Sequence, residues 1–258
     1  MRSALEYLNY RLRAKTRHGV HSPFVYRIVE EVIQGTGAAR TSDIEKLRTE
    51  LRNSTESLTI DDRGAGMRRG GRKSVRKISE IARRSATPAP QAAFLQRLVS
   101  HLGSECVLEL GTNLGLTTAY LAAAPHAPRT LSIEAAPELA KCAADHLARL
   151  GLKAEIVVGT FEEKLPALLN GGFVPDFAYI DGNHRKDPTL RYFDLLAQCM
   201  DAEGVVVIGD IYWSAEMREA WQAVKEDPRV NVTADLYYFG IAFFRKGQAR
   251  EHFTLKHP

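Results

Sequence analysis

The sequence predicts an α/β fold: a mostly parallel, seven-stranded sheet with helices on both faces, a terminal antiparallel hairpin and a helical N-terminal extension. Three observations carry that expectation. From Cys106 onward, apolar runs near 106–110, 130–134, 154–158, 176–180, 204–209, 232–237 and 241–245 alternate with helical periodicities, as a parallel sheet covered on both faces requires. The first run enters Gly111-Thr112-Asn113-Leu114-Gly115 and then a helix from Leu116 to Ala124, the strand–turn–helix shape of a nucleotide-binding crevice. The last two runs meet through Phe239-Gly240, too short for a crossover and therefore antiparallel.

The elements follow in chain order. At 258 residues the chain is long enough for one such domain with an extension, divided as residues 1–90 and 91–258. Ala4 to Ala14 reads as a helix with Leu5, Leu8 and Leu12 on one face, stopping near Gly19. A second helix starts with Ser22 as N-cap and Pro23 at its first position. Asp43 to Glu56 forms a third. The glycine-rich stretch 61–71 resists regular structure, and residues 74–83 and 90–101 read as helices. Within the sheet region, Pro137 to Leu150 keeps Leu139, Ala143, Leu147 and Leu150 in helical register. No apolar run reaches the roughly 18 residues of a membrane span, and Met1 to Glu6 lacks the apolar core of a signal peptide. Cys106, Cys142 and Cys199 show no metal or redox spacing, which suggests buried, reduced thiols in a cytoplasmic protein.

Charge is unevenly placed. Residues 1–90 hold 19 Lys and Arg against 10 Asp and Glu, whereas the remainder holds 16 against 21. Between 63 and 84, Arg63, Arg68, Arg69, Arg72, Lys73, Arg76, Lys77, Arg83 and Arg84 face one acidic residue, Glu80. Such a stripe attracts nucleic acid, anionic lipid or acidic small molecules, or is simply a solvated face. No aromatic residue interleaves it as a base-stacking platform requires, which favours the solvated face.

Glycine spacing narrows the ligand. A dinucleotide fingerprint wants glycine near 111, 113 and 116 so that the backbone can approach a pyrophosphate. Here those places hold Gly111, Asn113 and Leu116. The turn suits a nucleoside without a diphosphate, with S-adenosylmethionine as the leading candidate.

Taken with Glu109-Leu110-Gly111, Gly115, Thr117, Glu134, Gly159, Asp181 and Asp210, residues 90–246 resemble a bacterial Rossmann-like class I S-adenosylmethionine-dependent methyltransferase. The nearest resemblance is to the O-methyltransferase group that includes catechol-type enzymes. It implies that Gly111, Thr112, Asn113 and Gly115 line the donor, and that Thr117 holds its carboxylate at a positive helix end. Glu109 takes the ammonium group or holds the turn, and Glu134 grips the ribose hydroxyls. Relatives place an acidic residue after the third strand for the adenine amine. This chain has Gly159-Thr160-Phe161, so Thr160 offers a hydroxyl and Phe161 a stacking face. Asp181 shapes the cofactor pocket and, with Asp210, stands where catechol-type relatives bind a divalent cation such as Mg²⁺. Their third ligand, an Asn after the second Asp, is Ile211 here, and metal use stays open. His184 occupies the place of a general base, a role suited to an ordinary histidine pKa of about 6.5. Trp213 is either an acceptor wall or packing under its loop. The run His18-Gly19-Val20-His21-Ser22-Pro23-Phe24 resembles a segment of a bacterial subgroup and reads as a structural connection. A small-molecule acceptor is the expected partner, with a homodimer left open. An RNA acceptor, recruited by the 63–84 stripe, and a donor-binding module without turnover are the alternatives.

Overall fold

The computed structural model describes residues 4–38, 40–62 and 72–257. In chain order these form α1 (Ala4–Arg13), α2 (Pro23–Arg27) with a π-helical continuation (Ile28–Ile33), α3 (Thr41–Asn53), β1 (Ser57–Asp62), β2 (Arg72–Lys77), α4 (Ile78–Arg84) and α5 (Ala89–Leu102). There follow β3 (Cys106–Leu110), α6 (Leu116–Ala122), β4 (Arg129–Glu134), α7 (Pro137–Arg149), β5 (Glu155–Val158) and α8 (Phe161–Asn170). The chain continues through β6 (Phe177–Ile180), α9 (Lys186–Cys199), β7 (Val205–Gly209), α10 (Ala215–Glu226), β8 (Val232–Asp235), β9 (Phe239–Phe243) and β10 (Glu251–Thr254). All seven expected strands are present in an eight-stranded sheet of order β10-β8-β9-β7-β6-β3-β4-β5. β9 runs antiparallel to both β7 and β8, which is the expected terminal hairpin. The remaining pairings with known register are parallel.

Three expectations need correction. Residues 74–77 are not helical: β2 pairs antiparallel with β1, register Thr59↔Val75 and Ile60↔Ser74, and the ladder to that neighbouring strand satisfies backbone groups that a helix would otherwise pair. The helix begins only at Ile78. The eighth strand, β10, was unexpected; Phe253 and Leu255 bury while the intervening residues do not, a period-two signal too short to separate from a polar tail. The cysteines are free but half-buried rather than buried. Most of the glycine-rich stretch 61–71 lies outside the described residues.

The chain forms two compact units, Gly37–Phe173 and Met1–Thr36 with Val174–Pro258. In the first, α3, the β1–β2 hairpin and α4 share one apolar core with the sheet helices: Ile44, Leu47, Ile60, Ile78 and Ile81 pack with Leu116, Tyr120 and Leu147. A polar brace reinforces this. Glu45 accepts a 2.9 Å hydrogen bond from the Tyr120 hydroxyl and pairs with buried Arg48 at 2.8 Å, and Arg48 donates to the Thr87 carbonyl at 2.9 Å.

In the second unit, β6 and β7 are wholly buried. The His18–Phe24 segment is tied into the framework. Lys15 forms a parallel bridge with Leu255; the Ser22 hydroxyl, 5% exposed, accepts from Gln248 at 3.0 Å; and Phe24 packs edge-on to Phe243 with Arg245 over its face. Pro23 opens α2 after Ser22, as the sequence indicated. In α1 Tyr10 is buried, as is Ala14 just beyond it, whereas Leu5, Leu8 and Leu12 are 73%, 55% and 77% exposed.

Candidate active site

The Gly37–Phe173 unit gathers the residues expected to hold a donor at the C-terminal ends of β3, β4 and β5. β3 delivers the chain to a turn that is left-handed at Gly111 (φ +112°), Asn113 (+52°) and Gly115 (+77°). A Cβ at Gly115 would stand 2.9 Å from Ala143 Cβ and 3.1 Å from its Cα, so glycine there lets α6 close on α7. The Asn113 N–H donates to Glu134 Oε2 at 2.8 Å, and the Ala136 N–H donates to Oε1 at 2.9 Å. Both carboxylate oxygens are thereby oriented beside the turn. Asn113 Nδ2 donates to the Ser85 carbonyl, while its Oδ1 is buried without a hydrogen-bond partner among the described residues. Thr117, in the first turn of α6, is 7% exposed.

Glu109, expected to take the ammonium group or to hold the turn, lies beneath the turn at the end of β3. Its side chain is fully buried and Oε2 accepts from the Thr118 hydroxyl and, at 2.6 Å, from the Ser132 hydroxyl. Ser132 in turn hydrogen-bonds Thr112 Oγ1 at 2.6 Å. This chain of polar groups braces the turn from beneath. Thr118 and Ser132 were not among the expected site residues; Thr118 lies on α6 and Ser132 on β4, and only the fold brings their hydroxyls to Glu109. Thr160 caps α8, its hydroxyl accepting from the Glu163 N–H at 3.3 Å, and Phe161 opens that helix half-buried.

The other unit gathers Asp181, Asn183, His184, Asp210 and Trp213 at the ends of β6 and β7. A Cβ at Gly209 would lie 2.8 Å from Asp181 Oδ1, so glycine at the end of β7 makes room for that carboxylate. His184 Nε2 stands 4.0 Å from Asp181 Oδ1, beyond direct hydrogen-bond range but close enough for electrostatic coupling. Asn183 Nδ2 donates to the Tyr192 hydroxyl at 2.8 Å. The His184 and Trp213 rings lie 6.3 Å apart, and Trp213 is 48% exposed, so it is not simply packed away. Asn183 (φ +67°), His184 (+25°) and Asp210 (+57°) all hold left-handed backbone, strain that non-glycine residues keep mainly where the surroundings enforce it. Asp210 donates its N–H to the Tyr238 carbonyl and accepts from the Trp213 N–H.

Behind this loop, the Tyr212 hydroxyl donates to Asp235 Oδ2 at 2.8 Å and the Tyr237 N–H donates to Oδ1 at 2.9 Å. Burial pushes the Asp235 carboxyl upward, and burial, reinforced by Asp235, pushes the Tyr212 phenol upward as well. A cation cage is poorly supplied here. Among the described residues no three His, Cys, Asp or Glu side chains gather around one point, and Ile211 is fully buried in the core.

Residues 108–211 match a family described as methyltransferase domain. A catechol O-methyltransferase of Mycobacterium tuberculosis is 32% identical over 132 residues, covering 50% of this chain and 58% of that one. A catechol O-methyltransferase of Niastella koreensis is 31% identical, covering 46% and 55%. The chain thus spans little more than half the length of these relatives. Among solved structures, a Bacillus cereus O-methyltransferase in complex with SAH aligns at TM-score 0.54 and 21% identity over 62% of this chain and 83% of that one. An SAH-bound Podospora anserina methyltransferase aligns at 0.63 and 11% over 88% and 97%. The fold is that of Rossmann-like methyltransferases, and residues 108–211 are similar to the methyltransferase-domain family.

Proposed function

We propose that this chain transfers the methyl group of S-adenosylmethionine to an oxygen of a small-molecule acceptor, a phenol in the first instance. The observation that supports this most is Glu134, whose two oxygens are set by backbone N–H groups beside the left-handed turn. Bound there, S-adenosylmethionine supplies an electrophilic sulfonium methyl group. The residues do the rest. Glu134 accepts from the ribose hydroxyls, Asn113 offers its buried Oδ1, and Gly111, Thr112 and Gly115 shape the turn around the methionine moiety. Thr117 donates to the donor carboxylate, and Thr160 and Phe161 border the adenine.

Holding two reactants aligned removes about 7–11 kcal/mol from a barrier. The acceptor must also lose a proton. A phenol of pKa about 10 is only about 0.1% ionised at pH 7, a deficit of roughly 4 kcal/mol. In this reading His184 takes that proton, Asp181 stabilises the resulting imidazolium across their 4.0 Å separation, and Trp213 flanks the acceptor ring. Asp210 shapes the loop that carries Trp213.

His184→Ala and Asp181→Asn are expected to lower turnover by about 10²–10⁴-fold, with calorimetric binding of S-adenosylmethionine largely kept. Full turnover in both variants refutes these roles. No heat of binding in the unmodified protein, or saturation by NADH instead, refutes the donor assignment.

A further inference from the structure

The leucines of α1 pose a problem that the methyl-transfer reading leaves untouched. Leu5, Leu8 and Leu12 share one helix face and are mostly exposed, while Tyr10 and Ala14, on the opposite face, are buried. At 100° per residue, Arg11 and Arg13 fall roughly 100° to either side of that leucine stripe. Both are exposed, as is Lys15 just beyond the helix. Arg17 follows and pairs with Glu30 at 3.2 Å. The single acidic residue from 5 to 18 is Glu6, which is half-buried and paired with Arg218. An apolar stripe flanked on both sides by arginine, with its one local acid paired to Arg218, fits a particular occupant. Leucines enter an acyl boundary while arginines reach anionic headgroups from either side.

We propose that α1 is an interfacial anchor that seats this protein on an anionic lipid surface. The helix lies in the plane of that surface, with Tyr10 and Ala14 holding its inner face to the protein. Nothing crosses the bilayer: no helix among the described residues is long and apolar enough. Self-association through the same face is disfavoured by the like charges of Arg11 and Arg13 on both copies.

Flotation of the full-length protein with vesicles tests this. The protein is expected to bind vesicles of two parts phosphatidylcholine to one part phosphatidylglycerol, to bind phosphatidylcholine vesicles much more weakly, and to detach at high salt. Leu8→Asp is expected to abolish binding. Arg11→Gln and Arg13→Gln are each expected to weaken partitioning about fivefold. Leu12→Ser, at the most exposed of the three positions, serves as a second apolar variant should Leu8→Asp unfold the helix. Lys73→Gln with Lys77→Gln, in the separate basic stripe, is expected to keep binding. Equal failure with both vesicle types overturns the proposal. So does binding that survives Leu8→Asp and Leu12→Ser but is lost in the Lys73/Lys77 variant. A dimer that Leu8→Asp dissociates, with no vesicle binding, overturns it in favour of a second copy.

Discussion

Glu134 and Asp235 show how differently two carboxylates are used. Glu134 is half-exposed and held by two N–H donors, so its charge is stabilised where a sugar would meet it. In Glu134→Gln the amide NH₂ must face one of those N–H groups, and the charge is lost. Hydrogen bonds to charged groups contribute about 1.5–3 kcal/mol, so the dissociation constant for S-adenosylmethionine is expected to rise about 10–100-fold by calorimetry. Asp235 is 6% exposed, and burial raises its pKa despite hydrogen bonds from Tyr212 and Tyr237. The folded state therefore holds that proton more tightly than the unfolded chain does. Its contribution to stability is fully present below the unfolded value of about 3.9 and is lost as pH rises through the elevated folded value. Denaturant titrations of Asp235→Asn across this acidic range are expected to give a flatter pH profile than the unmodified protein. An unchanged slope shows that Asp235 does not titrate in this way.

At the scale of elements, backbone geometry and close approach decide what a position tolerates. Gly103 and Gly115 are both left-handed, yet a Cβ at Gly103 meets nothing within 4 Å whereas one at Gly115 meets Ala143. Gly115→Ala combines strain and collision and is expected to cost about 1–3 kcal/mol or more, several degrees in Tm. Gly103→Ala is expected to cost about 1 kcal/mol. Equal thermal losses in the two variants mean that the α6–α7 contact is looser than it stands. This contrast also marks what was legible in the sequence. Strand-and-helix alternation is local, so β3 through β9 and their order of appearance could be read, as could the turn at 111–115. Partnership is not local. Which face of α1 is buried depends on Tyr237 and Tyr212, more than 200 residues away. β2 became a strand because β1 lies beside it, and β10 because β8 offers an edge. In the same way Glu134 stood out as an acid at a strand end, whereas Glu109's bonds to Thr118 and Ser132 required the β3–β4 register, Glu109↔Ser132.

For the whole molecule, the charge surplus in residues 1–90 was the main argument for an RNA acceptor. The described part of that stripe offers little for base recognition. Val75 is its exposed large hydrophobic residue, at 72%, and Arg83 donates to the Arg52 carbonyl at 2.7 Å. Attraction of RNA by such a surface is expected to be steep in salt and indifferent to sequence. Donor binding gives the sharper test, because a ligand that binds only the folded state stabilises it by RT ln(1 + [L]/Kd), about 2.7 kcal/mol at 100 times Kd. For a chain of this size each kcal/mol shifts Tm by about 2–4 °C, so S-adenosylmethionine or its demethylated product at that excess is expected to raise Tm by about 5–10 °C. NADH at the same concentration is expected to leave it unchanged, since the turn lacks the glycines at 113 and 116 that a pyrophosphate needs. Glu134→Gln, assayed at the same donor concentration, is expected to lose from about half to about 85% of the shift, while its unliganded Tm stays close to that of the unmodified protein. A full shift in that variant refutes Glu134 as the ribose ligand even if the donor binds, whereas a shift with NADH alone refutes the donor itself.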